Sequence, residues 1–327
     1  MDKIIAISAG DINGIGPEII FKTLELPSFD DCSFVLFGHY EAMQFWKKHV
    51  GSKVIMHKME HPDDIRPSSV GIWSTIENPI PVQMGKIDID AGYLSIRSIE
   101  DAVHWCLSHP PCPLVTAPIH KESIHLAGST FAGHTEMLAS LCEVSPTDVM
   151  MLLTSEKLTV GLMTVHVPIK LVAELITEEQ LYKKIDLIHK ALSDLYKISE
   201  PKIDVLGLNP HAGDGGVIGD EEIHFITSVL KKYQESGKLV NGPFPADAYF
   251  GSGNWQKSDA VVAMYHDQGL IPFKLLAFET GVNITIGLPI IRTSPDHGTA
   301  FDIAGKNSAN PRSFIEAVHL AKRLSYH

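Results

Sequence analysis

Short apolar runs rich in β-branched residues alternate along this chain with longer stretches whose apolar residues recur three and four apart. The runs predict strands over residues 4–8, 34–37, 114–116, 159–165, 203–208, 260–264 and 283–286. The longer stretches predict helices over 17–24, 91–107, 177–197, 221–236 and 311–324. In one of them Ile185, Ile188, Ala191, Leu192 and Leu195 form a single stripe. Uninterrupted apolar strands between amphipathic helices are the mark of a mostly parallel sheet covered on both faces, so the class is α/β.

Length then sets the organisation. The chain has 327 residues, enough for about two domains. No Gly/Ser or Pro-rich linker, repeat or low-complexity tract divides it, so two subdomains would be interwoven. The expected layout is an outer subdomain from 1–128 and 268–327 and an inner one from 129–267, with a central cleft. At 44% hydrophobic and 20% charged, the composition is that of a folded globular protein, neither disordered nor fibrous.

A net charge of -12 argues against a general nucleic-acid or anionic-membrane surface, so any bound phosphate must be held locally. The four cysteines, Cys32, Cys106, Cys112 and Cys142, contain no C-x-x-C pair. They point to a reducing, cytosolic compartment without disulfides or a thiolate zinc site. The N-terminal apolar run is too short for a secretion signal, and no stretch approaches the ~18 apolar residues of a membrane span.

Three groups of residues can carry chemistry. The first is Gly10-Asp11-Ile12-Asn13-Gly14-Ile15-Gly16-Pro17-Glu18, a glycine-rich turn after a strand with proline placed to open a helix. It resembles a phosphate cradle, or is simply a tight turn packing strand against helix. It is not G-x-G-x-x-G, and the next strand runs into Gly38 and His39 with no acid for a ribose, which disfavours a Rossmann site. The second is histidine: His39, His120, His166, His211 and His266 each follow a strand-like run, where open α/β sheets face their ligands. Three imidazoles converging from different strands would hold a divalent ion and leave positions open for substrate. Spacing alone does not select the three. Asp267, beside His266, can orient it or carry a proton. The third group is cationic and hydroxyl-bearing: His134, Thr135, Lys274, Arg292 and Thr293, suited to an anionic substrate.

Together these motifs resemble the 4-hydroxythreonine-4-phosphate dehydrogenase family of vitamin B6 synthesis. The likeness runs through GDINGIGPE at Gly10, TAPIHKE at Thr116, AGHTE at Ala132, TVHVP at Thr164, NPHAGDGG at Asn209, FPAD at Phe244, YHDQG at Tyr265 and DHGTAFDIAGKNSANP at Asp296. Several motifs in one order are more specific than any single loop.

The resemblance implies a fold similar to isocitrate and isopropylmalate dehydrogenases, whose adenosine-binding loop looks like residues 297–311 here, with His297, Gly298, Asp302 and Asn310 as NAD or NADP contacts. It implies His166, His211 and His266 as ligands of one divalent ion (zinc, magnesium or cobalt) in a site shared across a homodimer. It implies His134, Thr135, Lys274, Asn283 and Arg292 as substrate contacts. Asp247 and Asp267 are candidates for proton transfer or metal support, and Lys274 is a further catalytic candidate. Ile12, Asp214 and Ala248 depart from the family's usual proline, glutamate and threonine, which bears on substrate preference more than on the reaction.

The expected activity is oxidation of 4-phosphooxy-L-threonine followed by decarboxylation of the β-keto acid. A D-threonate or D-erythronate 4-phosphate dehydrogenase is the nearest alternative, and a metal-dependent hydrolase or phosphosugar-binding protein is a more distant one.

Overall fold

A computed structural model describes residues 3–67, 69–131 and 133–326. Twelve strands are present among the described residues. In chain order they are β1 (Lys3–Ser8), β2 (Cys32–Gly38), β3 (Met56–Lys58), β4 (Val70–Ser74), β5 (Leu114–Thr116), β6 (Met150–Thr154), β7 (Thr159–Leu162), β8 (Lys202–Leu206), β9 (Leu239–Phe244), β10 (Ala260–Ala263), β11 (Val282–Ile286) and β12 (Arg292–Pro295). The chain divides into two compact units: the described residues of Met1–Pro146 with Val282–His327, and Thr147–Gly281.

In the first unit the strand order is β3-β4-β2-β1-β5-β12-β11. Pairing is parallel from β3 to β12, and only β11 runs antiparallel to its neighbour β12. All seven residues of β2 are buried, as a strand covered on both faces requires. The helix Ile89–Ser108 begins where the Asp88 carboxylate accepts from the amides of Asp90 (2.9 Å) and Ala91 (3.0 Å). It buries Ile99, Ala102, Val103, Trp105 and Cys106 in one cluster with Val35, Phe37 and Leu114.

The second unit has the order β6-β7-β10-β8-β9, parallel except for the antiparallel β6–β7 pair. Its helix Glu178–Asp194 starts at Thr177, whose hydroxyl accepts from Gln180 N at 3.3 Å. That helix buries Ile185, Ile188, Ala191 and Leu192 of the expected stripe and adds Leu181, while Leu195 caps its C-terminus and is only half-buried.

The unit boundaries fall at 146/147 and 281/282, not at the expected 128/129 and 267/268. Packing explains the shift. The helix His134–Leu141 puts Met137 and Leu138 into the first unit's core, while the helix His266–Ala277 puts Leu270, Phe273 and Ala277 into the second's. The expected strand 159–165 stops at Leu162, after which the chain keeps contact with its neighbour through Thr164, whose hydroxyl donates to Met264 O at 2.8 Å. The expected helix 221–236 opens with a π-helical turn, Glu222–Ile226, before regular helix over Thr227–Glu235. Among the described residues no helix is long and apolar enough to cross a membrane.

Candidate active site

The glycine-rich loop after β1 is filled from within. Residues 9–21 are all buried, and a side chain at Gly10 (φ +69°) would meet Pro118 O at 2.3 Å. Asn13 receives the Gln83 amide on its side-chain oxygen (2.7 Å) and donates to Lys86 O (3.1 Å). The fully buried Glu18 carboxylate accepts from Ala309 N (2.8 Å) and from Lys22 Nζ (2.8 Å), which also donates to the carbonyls of Asn307 and Ala309. The loop therefore leaves no open phosphate cradle. It is the foundation on which residues 297–311 rest, and Gly14 adds to it because a Cβ there would press on Thr299 at 2.9 Å.

The five candidate histidines separate by what their nitrogens do. His39 is 1% exposed; its Nδ1 accepts from Ala42 N (3.2 Å) and its Nε2 lies 3.1 Å from Asn78 O, so it is a helix cap with both nitrogens engaged. His120 caps the next helix through Ser123 N (3.4 Å) and stacks on Phe301 at 4.5 Å. His166 and His266, by contrast, face each other with ring centres 5.8 Å apart. They share a cavity of about 410 Å³ with Thr164, Tyr265 and Asp267 among its walls, a size suited to a small ligand. The Asp267 carboxylate lies 2.7 Å from His266 Nδ1, which fixes that ring and turns Nε2 outward.

Two imidazoles bound to one ion at about 2.0–2.1 Å have ring centres roughly 5–6 Å apart, so this pair fits shared coordination. Among the described residues no group of three or more His, Cys, Asp or Glu side chains stands ready to hold an ion.

His211 lies elsewhere in the second unit, on an unusual backbone. His211 (φ 55°, ψ 24°), Ala212, Gly213, Asp214 and Gly215 form five consecutive left-handed residues. Each non-glycine residue in that region costs roughly 1–2 kcal/mol, and such strain collects at functional sites. The turn exposes His211 and Asp214 and buries only Gly213.

A second cluster lies in the first unit. Arg292, 3% exposed at the start of β12, donates from Nε and Nη2 to Thr116 Oγ1 (3.1 and 2.6 Å) and from Nη1 to Thr285 Oγ1 (3.0 Å). No carboxylate among the described residues pairs with it, and burial presses its pKa down to about 9. His134 is held well below the usual histidine range, first by burial and then by the Arg292 charge, and its Nε2 is buried without a partner. Asn283 donates to Pro295 O (3.3 Å), leaving its buried side-chain oxygen unpaired. A buried cation among neutral groups is costly until an anion arrives, so this cluster can bind a phosphate or carboxylate.

Thr135 is half-buried at the start of the same helix as His134. In the supported loop 297–311, Gly298, Asp302 and Asn310 are exposed and His297 is half-buried. In the second unit Lys274 lies 5.7 Å over the Phe278 ring, and Asp247 is exposed in the first turn of the helix Ala246–Gly251.

Thr116 and Thr285 of this cluster were not among the residues singled out above, nor were Asn209 and Glu222, where Asn209 N donates to Glu222 Oε1 at 2.8 Å just before the left-handed turn. Thr116 and Asn209 open two of the motifs that carry the family resemblance, a signal that was available. Thr285 carried none.

Comparison with known proteins matches residues 30–321 to the family model described as pyridoxal phosphate biosynthetic protein PdxA. A 4-hydroxythreonine-4-phosphate dehydrogenase of Prosthecochloris aestuarii is 41% identical, over 99% of this chain and 98% of its own. A Bradyrhizobium diazoefficiens protein provisionally named D-threonate 4-phosphate dehydrogenase is 40% identical over 98% of this chain and 96% of its own. The crystal structure of 4-hydroxythreonine-4-phosphate dehydrogenase from Klebsiella pneumoniae superposes with a TM-score of 0.88 at 36% identity, covering 100% of this chain and 99% of that one. This α/β chain belongs to the PdxA family, whose curated members include many 4-hydroxythreonine-4-phosphate dehydrogenases.

Proposed function

We propose that this enzyme oxidises the secondary alcohol of 4-phosphooxy-L-threonine with NAD or NADP. The product, 2-amino-3-oxo-4-phosphooxybutanoate, then loses carbon dioxide to give 3-amino-2-oxopropyl phosphate. The observation that carries this reading is Arg292, a buried guanidinium whose only partners among the described residues are two threonine hydroxyls. An anionic group of the substrate supplies the missing counter-charge, and the neutral His134 beside it hydrogen-bonds without adding a competing cation. Thr135, Asn283 and Lys274 complete the substrate contacts. His297, Gly298, Asp302 and Asn310 take the nucleotide, on a loop anchored by the buried Glu18.

His166 and His266 of one copy hold a divalent ion, and His211 reaches it from a second copy. A bound ion would supply a Lewis acid that lowers the pKa of the substrate hydroxyl, and a bound nicotinamide would supply the hydride acceptor. Imidazole donors favour zinc or cobalt over magnesium, which prefers oxygen. Asp267 orients His266, and Asp247 and Lys274 are the candidates for moving the proton. The homodimer is supported by apolar side chains left exposed near both histidine elements: Ile271, Leu275 and Phe278 along and just beyond the helix that begins at His266, and Val217, Ile218 and Ile223 after His211. Four free thiols support a reducing, cytosolic compartment.

The test is NADH or NADPH formation by the purified protein from 4-phosphooxy-L-threonine with zinc, cobalt or magnesium added; no reduced nucleotide under any of them overturns the reading. The Bradyrhizobium relative favours a second substrate, D-threonate 4-phosphate, which differs by hydroxyl for amine. A higher kcat/KM on that compound would transfer the assignment to it.

A further inference from the structure

We propose that Glu222 is a positioning residue for His211: its buried carboxylate holds the left-handed turn that presents the imidazole. This rests on the reading of His211 as a metal ligand. Glu222 is 3% exposed, and no cationic side chain among the described residues pairs with it. Among the described residues its charge is met by Asn209, whose backbone amide donates to Oε1 at 2.8 Å and whose Nδ2 donates to Oε2 at 2.9 Å. Asn209 is the last residue before the left-handed run, and its carbonyl accepts from Ala212 N at 3.0 Å, closing the turn's first step. Glu222 thus grips the turn where it begins.

The surrounding chain is shaped around this grip. A Cβ at Gly213 would lie 2.8 Å from Glu222 Oε2, one at Gly207 3.2 Å from Oε1, and one at Gly219 2.3 Å from Asn209 Nδ2. Three glycines therefore clear space for one carboxylate and one amide. The π-helical turn that starts at Glu222 is a second irregularity at the same place, and π-turns recur at functional sites. Glu221 also accepts from Asn209 Nδ2, at 2.6 Å, a bond that lowers its pKa, but it is more exposed, and it is the Glu222 carboxylate that receives the Asn209 backbone amide.

Hydrogen exchange over 209–219 and zinc affinity by chelator competition, both on the full-length protein, test the proposal. Glu222→Ala is expected to speed exchange in that turn at least about tenfold, leave the helix Glu178–Asp194 unchanged, and weaken zinc binding about 10–100-fold. The kcat at saturating zinc is expected to return to within about threefold of the parent, because the ligand itself remains. Glu222→Gln should fall between the two, since its amide turns a donor toward Asn209, and Glu221→Gln should stay within about threefold of the parent.

If Glu222→Ala does not fold, Gly213→Ala presses on the same carboxylate from the other side and is expected to weaken zinc about tenfold. Unchanged zinc affinity in the folded variants, even with a lower Tm, overturns the positioning role. His211→Ala in the same titration separates the two ideas. If it binds zinc as the parent does, the ligand reading fails; if it loses zinc while the Glu222 and Gly213 variants keep it, only the positioning proposal fails.

Discussion

Two glycine-bearing loops follow strands in this protein, and they are built in opposite ways. The loop 10–18 is wholly buried, its polar side chains Asn13 and Glu18 are tied to backbone groups, and only Gly10 takes a positive φ. The turn 211–215 is mostly exposed, wholly left-handed, and three of its five strained residues are not glycine. Glycines in the first loop serve close packing; those in the second are outnumbered by residues forced into the same conformation. Strain without burial stabilises nothing by itself, which is why the second turn, and not the better-known kind of glycine motif, is the candidate for chemistry.

That contrast can be broken by substitution. The largest effect is expected for His211→Ala: kcat/KM falls by at least about a thousandfold while circular dichroism and Tm stay near the parent, because the proposal makes the lost group a ligand and not a packing element. Equal loss from His39→Ala, a helix cap, would remove the distinction. Arg292→Met should raise the KM for the phosphorylated substrate about a hundredfold, yet leave stability unchanged or improved, since it removes a buried charge that only an anion compensates. A drop in Tm with unaltered KM would assign Arg292 to structure.

Gly10→Ala is expected to destabilise by about 2–4 kcal/mol in denaturant titration, through positive φ and contact with Pro118 O, with kcat of the folded fraction unchanged. In the other loop Asp214→Gly, at φ 44°, should leave stability unchanged or raise it by up to about 1 kcal/mol. A destabilisation there as large as that at Gly10 would erase the difference between the loops.

Much of the fold was legible because its strands and helices bury continuous or periodic apolar faces. β5 and the stripe on the helix Glu178–Asp194 coincide with the pattern. What escaped lacks such a face. β12 is Arg-Thr-Ser-Pro and is a strand because β5 and β11 flank it; β9 is interrupted by Gly242 and Pro243. The helix Tyr40–Val50 begins on a histidine cap, which no residue preference announces. In the site, five histidines after strand-like runs were visible, but only the hydrogen bonds of His39 and His120 show that those two are structural. The left-handed turn is not written in its residues, since His, Ala and Asp adopt it only because Asn209 and Glu222 fix the chain around them.

The claim most exposed to test is that the metal site draws His166 and His266 from one copy and His211 from another. Mixed dimers decide it directly. Combining His211→Ala with His266→Ala under proven subunit exchange should restore about a quarter of parental activity, because random mixing makes half the dimers mixed and each holds one intact site of two. Combining His166→Ala with His266→Ala should restore none, since both losses fall on the same pair of rings. Recovery in the second mixture, or none in the first, would contradict the account.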